Sequence, residues 1–213
     1  MRSSTLLLTA TAVAVVTAAL VALPAFADSK TYNLSGFDRV DVSAGIDVTF
    51  TQGPFSVKVD EPKGNFDKLI VEVRGNTLKI GRRNSWMDWR GVDYSATVSA
   101  PSLVGLDASS GSSFEGLNLS LRDLRVDVSS GASIEISGSC ADLRLDISSG
   151  ARFEGEDLKC ETASVDASSG ASADAFAART ADGNASSGAN VTFYGKPAEL
   201  VKDTSSGGSV RAR

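Results

Sequence analysis

The tripeptide Ser-Ser-Gly recurs six times in the second half of the chain: DASSGSSFE from Asp107, DVSSGASIE from Asp127, DISSGARFE from Asp146, DASSGASAD from Asp166, NASSGANVT from Asn184 and DTSSGGSVR from Asp203. Its glycines, Gly111, Gly131, Gly150, Gly170, Gly188 and Gly207, are 20, 19, 20, 18 and 19 residues apart. A flexible linker has no reason to keep such a register. A period of about 20 residues with strand-like alternation is the mark of a β-solenoid, in which each repeat forms one coil stacked on the last.

Stacked coils turn equivalent positions into columns of like residues, and the columns are present. Three residues after each glycine stand Phe114, Ile134, Phe153, Ala173, Val191 and Val210, and three before it Ala108, Val128, Ile147, Ala167, Ala185 and Thr204. Seven before the later glycines stand Leu124, Leu143, Ala163, Ala181 and Leu200. These mostly apolar columns predict the core. Within one coil, Val126, Val128, Ser130, Ala132, Ile134 and Ile136 share one parity, with Asp127, Ser129, Gly131, Ser133 and Glu135 on the other. That parity places the second serine of each motif, Ser110, Ser130, Ser149, Ser169, Ser187 and Ser206, inside a narrow corner, where hydroxyls bond one another or the backbone. Parallel strands joined by such crossovers are almost always right-handed. The expected fold is all-β, a right-handed parallel β-helix with coils of about 18–20 residues.

The two cysteines test the alignment independently. Cys140 and Cys160 each lie ten residues before a repeat glycine, in the column that holds Leu121 one coil earlier. Adjacent coils put such Cα atoms about 5 Å apart, within disulfide range, so a Cys140–Cys160 bond is expected.

The regular pattern occupies 106–213, whereas 28–105 is looser. VDVSAGIDVTFTQG, from Val40, repeats the outward residues Asp41, Ser43, Gly45 and Asp47 and reads as a degenerate first coil. Between Gly45 and Gly111 there is room for about three irregular coils at this period, and LIVEVRGNTLKI, from Leu69, reads as two strands around Gly75-Asn76. Residues 28–213 are expected to form a single domain.

Ahead of it, Arg2, the apolar stretch Leu6–Leu23 and the ending Ala25-Phe26-Ala27 have the layout of a cleavable signal peptide over 1–27. Export to the periplasm or medium is expected, with no membrane-spanning segment left after cleavage. The whole chain carries a net charge of −5, and loss of Arg2 makes the excess of acid larger. A phosphate backbone is repelled by such a surface, which excludes nucleic acid as a partner. There is no histidine, so the Ser-His-Asp and Cys-His catalytic arrangements and His-ligated metal sites are excluded.

FDRVDVSAGIDVTFTQG (Phe37 to Gly53), then LIVEVRGNTLKI, then APSLVGLDASSGSSFE (Ala100 to Glu115), resemble in content and order the bacterial head GIN domain, the putative auto-transporter adhesin family. The likeness spans nearly all of 28–213. It implies a right-handed β-helical fold and an adhesin-type role. The signature tripeptide stands here as Gly45-Ile46-Asp47, with Asp where the family name has Asn, and no C-terminal translocator barrel is foreseen.

Two features are candidate sites. The outward aspartates Asp107, Asp127, Asp146, Asp166 and Asp203, with Asn184 once, stack one coil apart and repel by about 1 kcal/mol per neighbouring pair in water-like surroundings. Calcium bridging is one way to offset that repulsion. The favoured alternative is local backbone hydrogen bonding helped by Arg125 and Arg144, with no cofactor. The second feature is RRNSWMDWRGVDY, from Arg82, in which Trp86, Trp89 and Tyr94 offer a stacking platform for a sugar or a partner, or else simply cover the solenoid. Asp88, Arg90 and Asp93 are the only irregular cluster near aromatics, and they carry the competing reading of a polysaccharide lyase or hydrolase on a β-helix. Elsewhere the acids recur evenly, as scaffold residues do. The favoured function is a non-enzymatic, exported binding or surface-structural module with a cell-envelope or glycan ligand. At the far end, Lys202, Arg211 and Arg213 discourage stacking of another molecule, and end-to-end association is the oligomer an open coil leaves available.

Overall fold

The computed structural model describes residues 28–62, 65–83 and 93–213. Eighteen strands follow in order: β1 (Asp28–Tyr32), β2 (Arg39–Val42), β3 (Asp47–Gln52), β4 (Ser56–Glu61), β5 (Leu69–Arg74), β6 (Thr77–Arg82), β7 (Ser95–Ala100), β8 (Gly105–Ala108), β9 (Ser113–Ser120), β10 (Asp123–Val128), β11 (Ser133–Ile147), β12 (Arg152–Gly155), β13 (Leu158–Ala167), β14 (Ser172–Phe176), β15 (Thr180–Ala185), β16 (Asn190–Tyr194), β17 (Glu199–Thr204) and β18 (Ser209–Ala212). No helix occurs among the described residues.

From β8 onward the chain winds as a parallel β-solenoid. One stack runs β8, β10, β11, β13, β15, β17 and the other β9, β11, β12, β14, β16, β18, every pairing parallel. The register is the one the repeats predict: Asp107 lies beside Asp127, Asp127 beside Asp146, and Asp146 beside Asp166. The three apolar columns are buried in all but the last coil, where Leu200 is half-buried and Thr204 exposed.

Between the stacks, each Ser-Ser-Gly makes a tight corner. Ser110, Ser130, Ser149, Ser169, Ser187 and Ser206 have φ between 48° and 56°, and the glycine after each has φ between 70° and 79°. Two successive left-handed residues are the signature of a type I′ turn, and its closing bond is present: Ala132 donates its amide to the Ser129 carbonyl at 3.1 Å, Ala171 to Ser168 at 3.1 Å, and Ala189 to Ser186 at 3.0 Å. The coils remain bonded through the corner, because Gly131 donates to the Ser149 carbonyl one coil on at 3.1 Å and Gly150 to Ser169 at 3.1 Å.

This geometry corrects the expectation for the second serines. They are exposed rather than inward. Strand parity fails across a left-handed pair, which turns that side chain out, and the residue after the glycine enters the corner instead. Ser112, Ala132, Ala151, Ala171 and Ala189 are all buried there, and Ser112 donates its hydroxyl to the carbonyls of Ser109 at 2.8 Å and Val42 at 3.2 Å.

The looser half is built differently from the irregular coils anticipated. Ala44 and Gly45 have φ of 65° and 69°, so β2 and β3 do form a coil with the same corner. It is not first in space: β2 lies between β6 and β8, and β3 between β7 and β9. The first coil in sequence, β2 and β3, therefore lies inside the stack. Below, β5 pairs antiparallel with β6, β4 with β7 and β1 with β4. Antiparallel strands close this end, where three further coils had been expected. Gln52 also extends a ladder with its side chain, accepting the Ser120 amide at 2.6 Å and donating to the Ser120 carbonyl at 2.9 Å.

Core volumes compensate within each coil. Where the column after the corner holds Phe114 or Phe153, the position two residues on is Gly116 or Gly155; where it holds Ile134, that position is Ile136. A Cβ on Gly155 would collide with the Phe153 ring, and one on Gly183 with Phe193 and Val210.

At the opposite end β17 and β18 are the outermost strands among the described residues. Its register places Lys202 in the column filled by Val126, Leu145, Val165 and Gly183 below. Val201 is 50% exposed. A charge at an inward register position of an edge strand opposes further strand addition. Lys202→Val is expected to shift the protein toward larger species than wild type at equal concentration, read by light scattering; an unchanged mass distribution would remove Lys202 from that role.

Candidate functional site

The outward aspartates and the first serines of the repeats border one open groove of about 550 Å³ along the coils. The strand register fixes its composition. Continuous pairing from β6 to β17 sets Lys79, Asp41, Asp107, Asp127, Asp146, Asp166, Asn184 and Asp203 in one column. The half-buried Ser109, Ser129, Ser148, Ser168 and Ser186, each just ahead of a corner, form the second row. Spacing along both rows is that of adjacent strands, about 4.8 Å.

The column is tied together wherever a donor is available. Lys79 donates to Asp41 at 3.0 Å. Arg125 reaches across two rungs, to Asp127 at 3.3 Å and Asp146 at 2.7 Å. Asn184 donates its amide to Asp166 at 2.7 Å. These donors are side chains of the coil stack, so the offset to repulsion comes from lateral contacts between rungs; Arg125 plays the part foreseen for it. Desolvation, with the charges of Asp127 and Asp41 beside it, pushes the Asp107 carboxyl above its ordinary value despite Arg39. Desolvation likewise raises Asp146, aided by Asp127 and Asp166 and opposed by Arg125.

Of the calcium candidates, Asp107, Asp127, Asp146 and Asp166 are thus neighbours in one column, but they stand one per rung. Among the described residues, no group of three or more acidic or cysteine side chains converges on a point that could hold a metal ion. Sequence reasoning missed Lys79 as a member of the column, because β6 enters the stack from an antiparallel hairpin that the repeat period does not register.

The proposed aromatic platform divides. Trp86 and Trp89, with Asp88 and Arg90, lie outside the described residues. Tyr94 is 2% exposed and belongs to the core. Its ring lies 6.5 Å from that of Phe66 and 5.0 Å from the Arg82 guanidinium, and its hydroxyl donates to the Asn65 carbonyl at 2.7 Å. Burial pushes the phenol above its ordinary value, against the pull of Arg82. Tyr94 therefore offers no open face to a sugar. Its place next to an irregular, polar segment hid the inward parity that β7 continues through Ala96 and Val98. Asp93 is exposed.

Cys140 and Cys160 sit side by side on adjacent coils and are joined by a disulfide, with Cα atoms 4.4 Å apart. Both are buried.

Comparison with known proteins agrees with this architecture. Residues 36–197 match the family described as putative auto-transporter adhesin, head GIN domain. No curated protein matches the chain. Among solved structures, a putative adhesin from Bacteroides fragilis superposes with a TM-score of 0.69 at 14% identity, covering 87% of this chain and 96% of that one. A putative adhesin from Parabacteroides distasonis gives 0.55 at 15% identity, covering 87% and 96%. A putative lipid binding protein from the same species gives 0.53 at 16% identity, covering 89% and 98%. At these identities the likeness is one of fold.

Proposed function

The chain belongs to the head GIN domain family, and from that premise we propose that it is an exported, non-enzymatic binding module of adhesin type whose binding face is the acidic groove. The observation that carries this reading is the repetition of one carboxylate and one serine hydroxyl on successive coils along an open groove. Such a surface suits an elongated ligand with a repeat of its own, such as an envelope glycan, whose hydroxyls donate to the carboxylates and exchange bonds with the serines. The same evenness speaks against catalysis, since acid–base chemistry by carboxylates needs two groups converging in unlike environments. Export is supported by the buried disulfide, which is typical of oxidising compartments.

Immobilised residues 28–213 should retain an envelope glycan from a panel, and the exposed charge reversals Asp127→Lys and Asp166→Lys should abolish retention without altering the far-ultraviolet spectrum. Retention indifferent to both changes would remove the groove as the binding face. Depolymerisation of an acidic glycan would end the non-enzymatic reading.

A further inference from the structure

We propose that the aspartate column is a proton-binding ladder, in which Asp107 and Asp146 take up protons from solvent and, keeping them, donate hydrogen bonds to Asp127 between them, so that acidification tightens the solenoid and strips negative charge from the groove. The geometry comes first. Strand register leaves Asp41, Asp107, Asp127, Asp146 and Asp166 on successive rungs with no freedom to separate. Asp107 on β8 faces Asp41 and Arg39 on β2 and Asp127 on β10. Asp146 on β11 faces Asp127 and Arg125 on β10 and Asp166 on β13, with Arg144 two residues away on its own strand. Both carboxyls lie directly beside Asp127 across the parallel pairing of their strands. The cations do not match the carboxylates one for one: Lys79 is committed to Asp41, Arg125 is shared between Asp127 and Asp146, and the pull of Arg39 on Asp107 is outweighed by desolvation and by Asp127 and Asp41.

One rung already displays the contact. Asn184 occupies the aspartate position, and its amide donates to Asp166 at 2.7 Å. Asparagine has the shape of a protonated aspartate, so the coil spacing accommodates a donor–acceptor bond between column side chains with no rearrangement. A protonated Asp107 would make that bond to Asp127.

The raised values of Asp107 and Asp146 agree in direction. A carboxyl whose folded-state value lies above its unfolded one contributes stability that is complete below the unfolded value and is lost as pH rises through the folded one. The window therefore opens at the ordinary aspartate range, about pH 4, and extends above it.

Thermal melts of residues 28–213 across that window test the ladder. Wild type should melt several degrees higher in mild acid than at neutrality. Asp107→Asn, a fixed mimic of the protonated state, should melt above wild type at neutrality and show a shallower pH dependence. Asp123→Asn, on an exposed carboxyl at the start of β10, should keep the wild-type slope. Carboxyl carbon resonances of Asp107 and Asp146 should titrate above the ordinary aspartate range. A wild-type melting temperature that is flat or falls on acidification, or an Asp107→Asn protein with an unaltered slope, would overturn the proposal. So would a neutral-pH melt raised by calcium and lowered by chelator, with Asp107→Asn less stable than wild type, because the column would then be held by metal. Glycan retention is not part of any of these readouts, so the ladder and the binding face stand or fall separately.

Discussion

Phe153→Ala is expected to lower the stability of the protein by about 3–5 kcal/mol, the range for truncating a fully buried phenylalanine. At about 2–4 °C per kcal/mol for a chain of this size, the melting temperature should drop by on the order of 10 °C. Phe153 is fully buried, stacked between Ile134 on the coil below and Ala173 on the coil above. Its ring occupies the space that a Cβ on Gly155 would need. No neighbouring side chain can fall into the void, since the rungs are held by backbone ladders. The coil below shows another solution of equal parity, Ile134 with Ile136. The pair Phe153→Ile, Gly155→Ile should therefore recover most of the loss, whereas Gly155→Ile alone should be strongly destabilising through collision with the ring. Denaturant titration of wild type, Phe153→Ile, Gly155→Ile and the pair gives the coupling directly. Additive effects, or a Phe153→Ala cost below about 1 kcal/mol, would mean that the coil relaxes and the volumes are not coupled.

That coupling shows how the sequence encodes the fold. Letters repeated at fixed spacing become ladders, so the apolar columns, the aspartate column and the Cys140–Cys160 contact were all legible before any coordinates. Alternation alone is a weaker guide at corners. It placed Ser130 and its equivalents inside because parity counting assumes extended backbone throughout, and a left-handed pair suspends that assumption for two residues. A closer reading of Ser-Gly as a type I′ pair would have put the following alanine in the corner. Gly138 was illegible for another reason: its φ of 128° and its approach to the Leu119 backbone arise from a register shift between β9 and β11, which no single repeat displays.

The half before β8 resisted reading because its stacking order departs from chain order. A period search finds a coil only when successive windows are neighbours in space, and the coil of β2 and β3 is flanked by β6 and β7 and by β8 and β9, not by the β4 and β5 that follow it in the chain. The hairpin β5–β6 was recognisable from Gly75-Asn76, but its consequence, Lys79 beside Asp41 in the aspartate column, follows from which strand β6 pairs with.

Removing the disulfide is the second large perturbation. The cysteines close a loop of 20 residues, so the double variant Cys140→Ala, Cys160→Ala should lose about 3 kcal/mol through the freed unfolded chain. Alanine is the appropriate replacement, because both positions are buried and a serine would add an unsatisfied hydroxyl. The location of the bond adds a second expectation. A solenoid holds together through contacts between neighbouring coils. The coil that carries Cys160 has a core made largely of alanine, with Ala163, Ala167, Ala171, Ala173, Ala175 and Ala177 all buried, and it buries less apolar surface than the leucine- and isoleucine-rich coils below it. The bond fastens this thin coil to the thicker coil of Cys140. Without it, the stack should open from β15 to β18 before the remainder, so that amides there exchange through a partial opening while those of β8 to β11 keep the global rate. Hydrogen exchange on the double variant and on reduced wild type reads both effects. Equal protection along the stack, with an unchanged unfolding midpoint, would show that the alanine coil is held by its backbone ladders alone.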